Sequence, residues 1–448
     1  MIHCLFICRV LYWTFPMPRI LPILGLVMAL RCGAFAQTPT PALTLTLQDA
    51  LVRAKAVSQQ LLSADIAARI AREDKVQAKA ALLPSVNWEN GFAYTQPNGT
   101  DTGVYVANNG PRVYTNLANV HGDVYAPGKR ADYQMAIAAE AIARAKVEIA
   151  ARGLTAVVVQ NFYGMAVAQR HFNNARRSLE EARQFVDITQ KQEAGGEAAH
   201  SDVVKAQLTL DQRQRDVQEG QLAYDKARIG FAVFLFPDFR QDYTVADDLD
   251  LLAPLAALPE IEALAQKNNP DIRAAQSTVT QGTFGIKSAR AGYLPTFSVD
   301  YFYGLNANQY AVHNESGQSN IGSSVVASLN VPVWTWGAAR SRVRQAEFRL
   351  EQARNDLSFA QRQLLSNLHS FYLEANVASS QMSSLKHSLD LSEESLKLTL
   401  LRYEAGEVTV LEVVDAQTTL FGARNAYDDG LARYRLSLAA LQTLTGAF

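Results

Sequence analysis

What the chain lacks narrows its chemistry before any motif is considered. Cys4, Cys8 and Cys32 are its only cysteines, and all three fall within the first 36 residues. The rest of the 448-residue chain therefore carries no disulfide, thiolate metal site or thiol nucleophile. Beyond that leader no run of 18 apolar residues occurs, so the sequence predicts no membrane-spanning helix, and any crossing of a bilayer must use strands. A basic excess is missing too. Without Arg9, Arg19 and Arg31 of the leader, the 42 basic residues fall to 39 against 43 acidic ones, which excludes the electrostatic footprint of a nucleic-acid binder. Seven histidines are scattered without metal-ligand spacing, and there is neither a phosphate-cradling glycine loop nor a nucleophile elbow. The expectation is no enzyme, no cofactor and no metal site. Proline is absent from 129 to 193 and again from 338 to 404.

The first 36 residues read as an export signal. Arg19 supplies a basic n-region, Ile20 to Leu30 an apolar run, and Ala34-Phe35-Ala36 a small-x-small cleavage site before Gln37. Met17 offers a second start. The apolar run is too short, and too closely followed by Arg31, to cross a hydrocarbon core about 30 Å thick as a permanent helix. Cys32 is a poor lipidation site, because bulky, charged Arg31 sits where a small residue is wanted.

What is present is one unit written twice. Lys79-Ala-Ala-Leu-Leu-Pro84-Ser85 returns as Arg290-Ala-Gly-Tyr-Leu-Pro295-Thr296, and Tyr125-Ala-Pro-Gly128 as Trp334-Thr-Trp-Gly337. Phe162-Tyr163 returns as Phe371-Tyr372, and Gly196 with Val203-Val204 and Ala206-Gln207 as Gly406 with Val413-Val414 and Ala416-Gln417. Four ordered matches at nearly constant spacing define a first repeat at 37–236 and a second at 259–448, joined by a Pro- and Asp-bearing segment at 237–258.

Each copy predicts helix, strand, loop, strand, very long helix, turn, helix. Leu47 to Leu82 is rich in Ala and Leu, and Pro84 ends it; Pro259 to Leu294 is its counterpart. Val86, Trp88, Phe92 and Tyr94 then alternate with Asn87, Glu89, Gly91 and Ala93, the period of a half-buried strand. Strands are expected at 85–95, 116–126, 296–305 and 323–334. Each is about as long as a tilted transmembrane β-strand, and Trp88, Tyr94, Tyr301, Tyr303, Trp334 and Trp336 are placed like an interfacial aromatic girdle. A soluble hairpin packed on a core would show the same alternation. Polar loops, Gln96 to Arg112 and Asn306 to Ser323, separate the strands.

The helices are more selective. The proline-free runs predict helices at 129–193 and 338–404, each about 95 to 100 Å long at 1.5 Å per residue. No globular core is that large, so such helices need lateral partners along their length, as in coiled coils or helical barrels. Shorter helices at 198–235 and 408–445 pair with them.

The segment Arg402-Tyr-Glu-Ala-Gly406-Glu-Val-Thr-Val-Leu-Glu412-Val-Val-Asp415-Ala-Gln-Thr-Thr-Leu420, with Ala423-Arg-Asn-Ala-Tyr427, resembles the turn and final helix of the TolC-like outer-membrane efflux and secretion family. Lys191-Gln-Glu-Ala-Gly195-Gly196 through Asp202-Val-Val-Lys205-Ala-Gln207 resembles the matching turn of the first repeat. The resemblance implies a mainly α protein with a membrane β-barrel: an internally duplicated protomer giving four strands to a trimeric twelve-stranded β-barrel in the outer membrane, and long helices to a periplasmic α-barrel. It implies a homotrimer in contact with outer-membrane lipid, docking a periplasmic adaptor and an inner-membrane pump, and passively conducting their cargo outward. Glu412 and Asp415 fall on the family's ring-forming aspartates at the periplasmic entrance. Tyr403 and Asp202 fall on a tyrosine and an acidic residue bonded in the closed gate, whereas Val408 stands where the archetype has an arginine completing that latch. Apart from the resemblance, Glu412 and Asp415 read more readily as solvated helix-start carboxylates favoured by the helix dipole. The competing class is a periplasmic adaptor of the membrane-fusion type, which also carries helical hairpins but normally only one.

Overall fold

In a computed structural model, residues 43–95, 112–251 and 253–446 are described. The expected export signal at 1–36 and most of the first polar loop lie outside those residues. The elements, in order, are β1 (Leu43–Leu45), α1 (Leu47–Val57), α2 (Gln59–Ala80), β2 (Ser85–Tyr94), β3 (Arg112–Tyr125), α3 (Pro127–Gly195), α4 (His200–Leu235), β4 (Tyr243–Val245), α5 (Leu258–Asn268), α6 (Pro270–Ala291), β5 (Thr296–Ala307), β6 (Ile321–Asn330), α7 (Ala338–Glu404) and α8 (Val410–Thr445). The duplication survives in the lengths. Helices α1 and α5 have 11 residues each, α2 and α6 have 22, α4 and α8 have 36, and α3 and α7 have 69 and 67.

Each expected opening helix is broken in two. In the second copy the break falls at Asn269, ahead of Pro270: proline biases the preceding residue away from α geometry, and the Asn269 side chain accepts from the Asp271 and Ile272 amides at 2.9 and 3.1 Å. The first copy breaks at the equivalent Ser58 without any proline, and Ser58 Oγ caps α2 at the Leu61 amide. The strands end earlier or start sooner than the alternation suggests. β3 begins at Arg112, and β6 stops at Asn330 ahead of Pro332, leaving Trp334 and Trp336 beyond the strand. Their rings meet edge to face at 5.7 Å, and Trp336 takes a positive φ of 52°.

The four long strands form one antiparallel sheet in the order β2-β3-β5-β6. Register places Trp88 opposite Ala118, Ala118 opposite Tyr303 and Tyr301 opposite Val325, so one face collects Val86, Trp88, Phe92, Tyr94, Tyr301, Tyr303, Val325 and Leu329. The other collects Glu89, Asn119, His121, Asp300, Ser324 and Ser328. The apolar face is exposed, with Trp88 at 64 % and Val325 at 67 %. Gly304 allows the close approach of β3: a Cβ there would lie 2.3 Å from the Asn116 carbonyl oxygen, and its φ is +151°.

Helices α3 and α7, each about 100 Å long by residue count, are the rails. α2 and α6 flank their sheet-proximal halves, α4 the distal half of α3, and α8 that of α7. The buried residues of α7 include Leu350, Ala353, Leu364, Leu368, Ala375, Ala378 and Met382, an i, i+3, i+4 stripe facing its neighbours. The main apolar core is a girdle around the middle of α3, where the parallel pair β1 and β4 and helix α1 wrap Phe162, Phe231 and Tyr243. Phe162 meets Phe231 edge to face at 6.4 Å, and Phe231 meets Tyr243 at 6.3 Å. Burial pushes the Tyr243 phenol far up, and its hydroxyl donates to the Arg228 carbonyl at 2.5 Å. No described helix is long and apolar enough to cross a membrane.

Candidate gate and membrane face

Both helical hairpins turn at the end far from the sheet. α3 ends at Gly196 (φ 80°), and the turn after α7 contains Gly406 (φ 75°). A left-handed residue stops the helix and frees its last carbonyls for turn amides, and glycine adopts that conformation without a Cβ clash. Gly196 and Gly406 therefore fix where the hairpins end.

Helix α8 begins with a capping box. Glu412 accepts from the Thr409 amide at 3.4 Å and lies 3.5 Å from the Thr409 hydroxyl. Glu412 and Asp415 are both exposed, one turn apart, on the side opposite buried Val410, Val413 and Gln417. A helix start is where carboxylates are favoured, which accounts for their stability there whatever else they do. Asp202 holds the corresponding first turn of α4 and lies 3.9 Å from Lys205.

Tyr403 is placed differently from the latch that the resemblance implies. It is 5 % exposed within an apolar cluster of Phe185, Val186, Ala206, Val410 and Val413, and its ring meets Phe185 edge to face at 5.2 Å. The hydroxyl is directed at Thr189 Oγ1, 3.5 Å away, rather than at Asp202. The reason is local packing: Thr189 lies one helical turn from Phe185, so the polar group nearest the buried ring belongs to α3. Gln192 Nε2 donates to the Tyr403 carbonyl at 3.3 Å and completes the junction between the hairpins. Tyr403 and Asp202 still line one cleft of about 630 Å³ between the turns, with Glu197, Glu404 and Lys205, so three carboxylates there face one ammonium.

Two further links between hairpins carry no local sequence signal. Arg424 bridges Glu181 at 2.8 Å, and Gln417 Nε2 donates to the Glu181 carbonyl at 3.4 Å. Higher up, Arg170 on α3 gathers Asp247 and Asp250 of the connecting segment and Asp428 of α8, at 2.5, 2.7 and 3.1 Å. Burial works against the Arg170 charge, but the hydrogen bonds it donates to these three carboxylates overcome it and hold the guanidinium above its ordinary range. At the sheet end, Trp88, Tyr94, Tyr301 and Tyr303 share the exposed face, with Trp334 and Trp336 at its helix-proximal margin. Among the described residues no group of three His, Asp or Glu lies close enough to hold a metal ion.

These elements define a duplicated protomer of one four-stranded antiparallel sheet on two long helical hairpins. The family profile of "Outer membrane efflux protein" matches residues 50–233 and 263–447, and the chain belongs to that family. It is 25 % identical over 406 residues to outer membrane protein TolC of Vibrio cholerae, covering 88 % of this chain and 89 % of that protein. It is 20 % identical to the alkaline protease secretion protein AprF of Pseudomonas aeruginosa, covering 84 % and 79 %. The solved outer-membrane channel OprN superposes with a TM-score of 0.78 at 20 % identity over 90 % of both chains. The protein is an outer-membrane exit duct of efflux or secretion systems, from a family of channels.

Proposed function

We propose that three copies close into one conduit whose narrowest, cation-selective point is set by Glu412, Asp415, Asp202 and Tyr403. The observation that carries this reading is the pair of open edges, β2 and β6, on a sheet whose exposed face is apolar and aromatic. An unpaired backbone group in hydrocarbon costs several kcal/mol, so such edges must be paired by a neighbour. Three four-stranded sheets joined edge to edge give a twelve-stranded barrel with no free edge. Trp88, Tyr94, Tyr301, Tyr303, Trp334 and Trp336 then meet lipid and its interface, the polar face lines the lumen, and the helices continue as a periplasmic α-barrel.

At the far end, symmetry turns each exposed carboxylate on α8 into a ring. Rings of Glu412 and Asp415 favour cations and repel anions at the aperture. With Val408 in place of an arginine, the closed state rests on apolar burial of Tyr403 and on the neutral hydrogen bond from Gln192, with the Arg424–Glu181 pair above. The conduit is passive and performs no catalysis; a periplasmic adaptor docks at the hairpin ends and an inner-membrane pump supplies cargo and energy.

Planar-bilayer recording tests this. Replacing Glu412 and Asp415 together with Ala raises or reshapes conductance and lowers cation selectivity. Unchanged selectivity refutes the gate assignment, and a detergent-extracted protein that is monomeric and forms no pore refutes the conduit.

A further inference from the structure

The pore and its gate leave one built feature unused, the underside of the loop between β5 and β6. This loop, residues 308–320, lies at the end of the sheet away from the helices and is internally braced. The Asn314 carboxamide oxygen accepts from the Ser316 and Gln318 amides at 3.0 and 2.8 Å. Asn320 donates from its backbone to the Val312 carbonyl at 2.7 Å and from its side chain to the Ala311 carbonyl at 2.9 Å.

So braced, the loop folds onto the aromatic face of the sheet. The Tyr310 hydroxyl accepts from Asn116 Nδ2 at 2.8 Å, and its ring lies 5.9 Å from that of Tyr114, which in turn lies 4.9 Å from Phe92. Beneath it opens a cavity of about 320 Å³ walled by Trp88, Tyr303, Leu305, Tyr310, Val312 and Ile321. Small Ala118, between Trp88 and Tyr303 in the register, leaves the gap between their rings. Asn116, the polar side chain in the wall, is committed to Tyr310. Tyr310 is 67 % exposed and Val312 53 %, so among the described residues nothing covers this apolar wall. Facing water it would be unfavourable in proportion to its apolar area.

On the same face, two rows further out, stands exposed Arg112, paired in register with Tyr94. Four residues of extended β3 separate it from Asn116, roughly 13 Å. Among the described residues, the other ionisable groups of this rim are His313 and Glu315 in the loop. An apolar slot with a cation about one headgroup's reach beyond it matches an amphiphile bearing an acyl chain and a phosphate. At the outer end of an outer-membrane barrel, the lipid with both is the phosphorylated glycolipid of the external leaflet. We propose that the slot under Tyr310 holds one acyl chain of that glycolipid and that Arg112 binds its phosphate. The proposal rests on the reading that the aromatic face meets lipid.

The test uses the full-length protein extracted from outer membranes in mild detergent, with bound lipid identified by native mass spectrometry and conductance recorded in parallel. The wild type is expected to retain phosphorylated glycolipid through delipidating washes. Tyr310→Ala should lower retention at least about tenfold, and Tyr310→Phe, which keeps the ring, should lower it less. Arg112→Gln should abolish the preference for phosphorylated over dephosphorylated glycolipid. Retention of phospholipid instead, retention of no lipid, or equal retention by wild type and Tyr310→Ala each overturns the proposal. Conductance separates the two readings. A Tyr310→Ala protein that conducts normally but has lost its glycolipid supports both, whereas a wild type that neither assembles nor conducts overturns the conduit on which the lipid site depends.

Discussion

Replacing Arg170 by Met removes the one cation that three carboxylates share. Asp247 and Asp250 have side chains 39 % and 67 % exposed, so losing their partner costs at most about 1 kcal/mol each, screened by solvent. Asp428 is different: its side chain is 10 % exposed, and without Arg170 it keeps only the Asn174 amide, 2.8 Å away. Breaking a buried pair from one side costs about 3–5 kcal/mol, and the remaining Asn174 bond places this case near about 3 kcal/mol. The loss falls on the docking of the connecting segment against α3 and α8. Hydrogen exchange of amides 243–251 reads it directly, since about 3 kcal/mol corresponds to exchange roughly two decades faster when local opening is limiting. Arg170→Met with Asp428→Asn, which removes both charges, should recover most of the protection. Exchange accelerated less than about threefold in the single variant, or a double variant no better than the single, refutes the assignment of Asp428 as the costly partner.

Gly304→Val should abolish pairing of β3 with β5, because its Cβ would fall 2.3 Å from the Asn116 oxygen; normal yield of assembled protein in outer-membrane fractions refutes this. The hydrogen bond from Lys75, helped by Arg144 and opposed by burial, holds the Glu140 carboxyl below its ordinary 4.5. The resulting contribution to the packing of α2 on α3 is complete above the unfolded value and is lost as pH falls through the folded one. Relative to the intrinsic exchange rate, protection of α2 amides should therefore fall as pH drops below the ordinary glutamate range in the wild type and lose that pH dependence in Glu140→Gln. Tyr403→Phe forfeits only a 3.5 Å hydroxyl contact and should cost under about 0.5 kcal/mol, while Tyr403→Ala empties the Phe185 cluster and should cost about 3–5 kcal/mol. Thermal unfolding in detergent separates the two, and equal losses contradict the packing account.

Period, propensity and repetition are local properties, so the amino-acid order alone determined the doubling, the alternating strands and the proline-free rails. A 67-residue helix without proline needs lateral partners along its length, and ten-residue strands with aromatics on one face fit a lipid surface, though alternation alone fits a packed hairpin as well. The break at Asn269 was legible too, in Asn269-Pro270, although the sequence reading ran a helix through it. Its partner at Ser58 has no such signal, because a serine inside a polar helix differs little from any other until its hydroxyl finds the Leu61 amide. Only tertiary structure decided which groups meet across the rails. Arg170 and Asp428 are 258 positions apart and Tyr403 and Thr189 are 214 apart, separations at which neither spacing nor composition selects one partner over another. Those pairings arise where two rigid helices cross. A shift of one helical turn, about 5.4 Å, would give every buried side chain a different neighbour while leaving the periodicity of the sequence unchanged.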